Sequence, residues 1–202
     1  MRISQLPRPG VFASEAEEAA REKAERERQY RDRIKAAGIP ARYADARACD
    51  CPEEVSRYAK SVMGGYGGWL MLVGPNGTGK TYAACAVANE IAWSRRVLFA
   101  TVKQMVDTVQ RDRAALRAFA NVPFLVLDDL GKEDASAWKQ PDVFDVIQRR
   151  EANIKPTVVT TNLTPDQIRS HYGGDALNGD AIVSRLFSAQ IVIMDGPDRR
   201  IR

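Results

Sequence analysis

The octapeptide GPNGTGKT, Gly74 to Thr81, constrains this chain more than any other stretch of its 202 residues. It follows the apolar run WLMLV directly and opens the segment KTYAACAVANEIAW, which has the length and composition of a helix. The pattern G-x-x-x-x-G-K-[ST] between a strand and a helix describes a phosphate cradle. Gly74, Gly77 and Gly79 allow backbone N–H groups to wrap a chain of phosphates, while Pro75, Asn76 and Thr78 complete the loop. The helix N-terminus adds its partial positive charge. Lys80 is placed to reach the β- and γ-phosphates, and the Thr81 hydroxyl to ligate Mg²⁺. A loop that must be delivered by a buried strand and taken up by a helix predicts an α/β fold.

Four further apolar runs fit such a fold: VLFATV at 97–102, FLVLDDL at 124–130, PTVVTTN at 156–162 and QIVIMDG at 190–196. Their hydrophobicity is continuous rather than alternating, the mark of strands covered on both faces. Stretches of helical composition at 80–94, 103–120 and 141–153 separate them. With WLMLVG these segments predict a three-layer α/β domain over 38–202, with a five-stranded parallel sheet and crossover helices.

Residues 14–37, SEAEEAAREKAERERQYRDRIKAA, have a different texture. They are alanine and charge almost throughout, with Ser14 and Glu17 as a capping box and Gly38 and Pro40 as the stop. The apolar face is thin, made of Ala16, Ala20, Ala24, Tyr30 and Ile34. This predicts an N-terminal charged helical arm, residues 1–37, that is either solvated or docked on another chain.

A hydrophobic content of 45% with 28% charged residues is that of a soluble globular protein, and a net charge of +4 permits an anionic partner such as nucleic acid. No stretch approaches the ~18 consecutive apolar residues of a membrane span. Cys49, Cys51 and Cys85 are odd in number and form no disulfide framework, so a reducing cytoplasm is the expected location. With the single histidine, His171, they make four possible zinc ligands, but Cys49-Asp50-Cys51 lacks the usual knuckle spacing and Cys85 falls on the helix after the phosphate loop.

FLVLDDLG carries two carboxylates to the C-terminal end of a buried strand, the edge at which α/β folds bind ligands. Asp128 is the expected Mg²⁺ partner and Asp129 the candidate for orienting or deprotonating an attacking water. Asn162 ends the next strand, where an amide can hold that water or the γ-phosphate, or else cap the turn before TPDQI. Arg185 interrupts the apolar run AIVSRLF, either as one solvated helix position or as a cation with a task.

Taken in order, these segments resemble an AAA+ ATPase. GIPARYADA ahead of the loop, LVLDDLG, VFDVIQRREANIKPTVVTTNL, SRL and a short arginine-bearing end are similar to the DnaC/DnaI-type helicase loaders and the IstB transposition ATPases. The resemblance covers about residues 38–202 and implies a P-loop NTPase core without a full helical lid that binds ATP/ADP and Mg²⁺ and hydrolyses ATP. By position it makes Gly74–Thr81 the Walker A loop, Asp128 and Asp129 the Walker B pair, and Asn162 sensor 1. Arg185 falls at the arginine finger, and Arg200 at sensor 2, an assignment that slips to Arg199 by one place.

The resemblance also implies a homo-oligomer, a ring or spiral with ATP sites between protomers. Its partners would be a replicative DnaB-type helicase, gripped by the arm, and single-stranded DNA. Lys103, Arg111, Arg113 and Arg117 are candidates for phosphate contacts, or an ordinary solvated face. An IstB-like helper that binds duplex DNA and recruits a transposase, and a nucleotide-dependent helicase adaptor or inhibitor, remain as alternatives. The arm departs from the family pattern, which has a larger zinc-bearing or globular domain there. The chain is also shorter than most cellular members, as expected of a phage or mobile-element variant.

Overall fold

The computed structural model describes residues 15–65, 67–132, 141–172 and 176–199. The five expected strands are β1 (Trp69–Val73), β2 (Val97–Thr101), β3 (Phe124–Leu130), β4 (Thr157–Thr161) and β5 (Gln190–Ile193). They form one parallel sheet in the order β2-β3-β4-β1-β5, with Leu70 level with Val158 on one side and Gln190 on the other. Alternate residues face opposite layers, so Leu70 and Leu72 enter one core cluster and Met71 the other. The inner strands β1, β3 and β4 are covered on both faces, so both sets of their side chains are largely apolar. The expected covering of both faces fails at β5, an edge strand that keeps only Val192 buried and leaves Ile191 and Ile193 exposed.

Helices α1 (Glu15–Ala36), α2 (Glu53–Met63) and α3 (Lys80–Ala92) contribute to the first cluster. The second is built on α4 (Val102–Arg111), α5 (Ala114–Asn121), α6 (Pro141–Ala152), α7 (Pro165–Tyr172) and α8 (Ala176–Phe187). The helix expected over 103–120 is two helices. Asp112 leaves the helical region at φ −140°, and its carboxylate accepts the Ala114 N–H at 2.9 Å, ending one helix and starting the next. Lys103, Arg111, Arg113 and Arg117 are therefore divided between two elements, all exposed; Lys103 pairs with Asp107 and Arg113 with Asp142.

Helix α1 has two parts. Residues 17–29 are exposed throughout, with Arg28–Glu25 and Arg31–Glu27 ion pairs at 3.0 Å supporting the helix along its own surface. The last two turns belong to the core: Tyr30 stacks on Trp93 at 4.0 Å, Ile34 and Ala37 are buried, and the Phe99 N–H donates to the Ala37 carbonyl at 2.7 Å. Ser14, half of the expected capping box, lies outside the described residues.

At the other end of the sheet Arg150 is 0% exposed and, among the described residues, pairs with no carboxylate. Its guanidinium donates to the carbonyls of Phe119, Ala120, Val122 and Pro156 and to the Thr157 hydroxyl, at 2.8–3.3 Å. These bonds tie the C-terminus of α5 to the starts of β3 and β4. Burial pulls the group's pKa down to about 10, which leaves it charged at neutral pH.

Candidate nucleotide site

At the C-terminal end of β1 the chain enters the glycine-rich loop and then α3, whose N-cap is Gly79 at φ +96° with no side-chain cap. The first-turn N–H groups of α3 therefore face the loop's concavity, where a phosphate can take them up. Gly77, at φ +82°, is required by space as well: a Cβ there would run into the Asp198 carboxylate. Lys80 is buried with its ammonium on the carbonyls of Gly74 and Pro75 at 2.7 and 2.6 Å, and the Thr78 hydroxyl donates to Pro75 O at 3.0 Å.

The two aspartates reach this loop by an irregularity in the sheet. In a regular strand Asp128 and Asp129 would face opposite layers. Here the β3–β4 register shifts between Leu127 and Leu130, and Asp129 adopts φ +60°. The Thr160 hydroxyl holds the distortion: it donates to Asp128 Oδ1 at 2.6 Å and accepts the Asp129 N–H at 2.9 Å. Asp128, 4% exposed, stays inside against the Thr81 hydroxyl at 3.1 Å, while Asp129 lines the cleft. Burial is the main cause that pushes the Asp128 carboxyl above the usual carboxylate range, opposed by the Thr160 hydrogen bond.

Thr81 Oγ1 and the Asp128 carboxylate form the donor set expected for Mg²⁺, a hard cation commonly held by one or two carboxylates together with substrate phosphates. The residues thus fit the ion, which would neutralise phosphate charge there.

Asn162 donates from Nδ2 to Asn76 Oδ1 at 2.8 Å, which fixes its amide across the loop and leaves its Oδ1 buried with no hydrogen-bond partner among the described residues. An acceptor so placed suits a water beside the γ-phosphate.

A cleft of about 410 Å³ joins these groups. Its walls hold Lys80, Thr81, Asp129 and Asn162, together with Arg199, the alternative to Arg200 in the sequence reading, and Lys132, which no motif marks. Arg199 arrives because its N–H donates to the Gly77 carbonyl at 3.0 Å, turning the segment after β5 back over the loop. Arg200 lies outside the described residues. The far wall is Arg42, Tyr43, Asp50 and Tyr82. Tyr43 and Tyr82 meet edge to face, and the Tyr82 hydroxyl donates to Asp50 at 3.1 Å. Asn89 on α3 holds this wall in place, donating to the carbonyls of Tyr43, Ala44 and Ala46 at 2.9–3.2 Å.

Arg185 is not in the cleft. It sits in the last turn of α8, just before β5 begins at the sheet edge opposite the loop. Its side chain is 25% exposed, lies 3.6 Å from Glu151 and is centred over the Phe144 ring at 5.4 Å. Cys85 is buried in the core on α3. Among the described residues no helix is long and apolar enough to cross a membrane.

A parallel three-layer sheet with this loop, the paired aspartates and the following asparagine defines a P-loop ATPase domain of the AAA+ class. Comparison with known proteins narrows it. The model of the IstB-like ATP binding proteins matches residues 55–202, and the chain belongs to that family. It is 28% identical over 151 residues to the replicative helicase loader DnaI of Bacillus subtilis, covering 67% of this chain and 49% of DnaI. It is also 28% identical over 143 residues to a putative ATP-binding protein in an insertion sequence of Mycobacterium tuberculosis, 66% of this chain and 56% of the relative. The chain therefore spans about half the length of these curated relatives. A crystal structure of DnaI superposes with a TM-score of 0.69 at 27% identity, over 80% of this chain and 94% of that one.

Proposed function

We propose that the protein is an ATP-dependent loader of a replicative helicase of the DnaB type onto single-stranded DNA. It acts as a ring or spiral whose ATP sites lie between protomers. Within a protomer Lys80 and the loop N–H groups bind the phosphates, Thr81 and Asp128 hold Mg²⁺, and Asp129 and Asn162 orient the water. Arg199 takes the sensor 2 position, and Arg185 serves the neighbour's nucleotide.

The observation that carries the loader reading is α1: its end is locked to α3 and β2 while residues 17–29 stand exposed. A groove of about 800 Å³ beside it, with Tyr30, Ile34, Ile39 and Trp93 in its walls, adds apolar surface for a partner helix. The kinship with DnaI supports the same reading. The insertion-sequence relative supports a second one, a transposition helper that clamps duplex DNA.

The test is to mix the chain with the helicase of its own host and look for an ATP-dependent complex by size. The control lacks residues 1–28 but keeps Tyr30 to Ala37, which the core needs. Complex formation by the full chain alone supports the loader. A shortened chain that still binds sinks the arm's role, and duplex-DNA binding without any helicase complex favours the transposition helper.

A further inference from the structure

We propose that Lys132 is a ligand of the γ-phosphate, resting on Asp129 when no γ-phosphate is bound. The proposal rests on reading the cleft as an ATP site. Lys132 Nζ lies 2.6 Å from Asp129 Oδ1, and both residues line the cleft together with Lys80, Thr81 and Asn162.

The backbone that presents the lysine is fixed. Asp129 is at φ +60°, Gly131 at φ +92°, and the Lys132 N–H closes the turn onto the Asp129 carbonyl at 3.2 Å. Gly131 has no room for a side chain, because a Cβ would run into Leu163. The turn therefore delivers one flexible cation to one place.

The fold itself has little need of the pair. The Lys132 side chain is 43% exposed, and solvent-exposed ion pairs contribute only about 0–1 kcal/mol. An arriving triphosphate offers denser negative charge and several charge-assisted acceptors at once.

Reach favours the exchange too. A carboxylate that orients the attacking water stands about 3 Å from it, and the water about 3–3.5 Å from phosphorus. An ammonium already on that carboxylate is thus within a change of side-chain rotamer of the γ-oxygens. Lys80, bound to the carbonyls of Gly74 and Pro75, serves the loop side of the phosphate chain. Lys132 adds a second cation from the same subunit on the water side. When it moves, the Asp129 carboxylate is released toward the water, so the same step that recognises the γ-phosphate uncovers the base. ADP has no group to draw the lysine away.

The experiment measures the affinities of the full chain for ADP and for the nonhydrolysable analogue AMPPCP, in wild type, Lys132→Ala, Lys132→Arg and Lys80→Ala. Lys132→Ala should weaken AMPPCP about tenfold, the worth of one charge-assisted hydrogen bond, and leave ADP within about twofold. Lys132→Arg, which keeps the charge, should retain the preference for the triphosphate. Lys80→Ala should weaken both ligands. If Lys132→Ala keeps the wild-type ratio of the two affinities while Lys80→Ala loses both ligands, the ATP site stands and the role of Lys132 falls. Unchanged affinities in Lys80→Ala would overturn the site reading and this proposal with it.

Discussion

Asp128 shows what the site costs the fold. Its carboxyl is buried against Thr81 and Thr160, and burial holds its folded pKa above the unfolded value. For an acid shifted upward, the unfolded chain ionises first as pH rises, so stability is full below the unfolded pKa and declines through the folded one. Asp128→Asn removes that loss. It should raise the stability of the nucleotide-free protein by about 1 kcal/mol at neutral pH, with the gain shrinking as pH falls into the carboxylate range. Thermal unfolding of both proteins across pH checks this, and a gain independent of pH would refute the cause given. The same variant should lose Mg²⁺-dependent nucleotide binding. That two acids sit at the end of a buried strand is legible in FLVLDDL; which stays inside and which turns to the cleft depends on the bulge and on Thr160, thirty-two positions away from Asp128.

Among elements, the segment 41–50 depends most on a distant anchor. It contributes Arg42, Tyr43 and Asp50 to the cleft, yet its two 3₁₀ turns have no side-chain caps. Asn89, a buried polar residue among the alanines of α3, satisfies three of its carbonyls. Asn89→Leu should leave those carbonyls unpaired, cost about 1–3 kcal/mol of stability and weaken ATP binding severalfold, although Asn89 is not in the cleft wall. Calorimetric binding with a melting curve reads both; wild-type affinity in a destabilised protein would show that the wall is not held this way. GIPARYADA marks the segment in the sequence without giving its role. Arg150, in QRREANIKPT, is the converse: a residue of the family-like pattern whose position in the fold is structural, closing the end of α5 against two strands.

At the scale of the whole molecule, the chain holds the cleft and, apart from it, Arg185 on the α6–α8 face beside Glu151 and Phe144. If that arginine serves the next protomer, Arg185→Ala should bind ATP normally and lose about 10³-fold or more in turnover. Mixing it with Lys80→Ala should restore activity at interfaces that combine an intact cleft with an intact finger. No recovery at any ratio would return Arg185 to a half-buried helix position.

The sequence by itself determined the strand, phosphate loop and helix, the five strands and the acids at the end of the third. These depend on contiguous residues and on burial patterns that repeat along the chain. The tertiary structure alone decided which side chains join the motif residues around the cleft and which stay outside it. Lys132 depends on a positive φ and a glycine pressed against Leu163, Arg199 on a hydrogen bond to Gly77, and Arg185 on the packing of α8 against α6. The direction of a side chain is set by local dihedrals and long-range register, and neither leaves a period in the sequence.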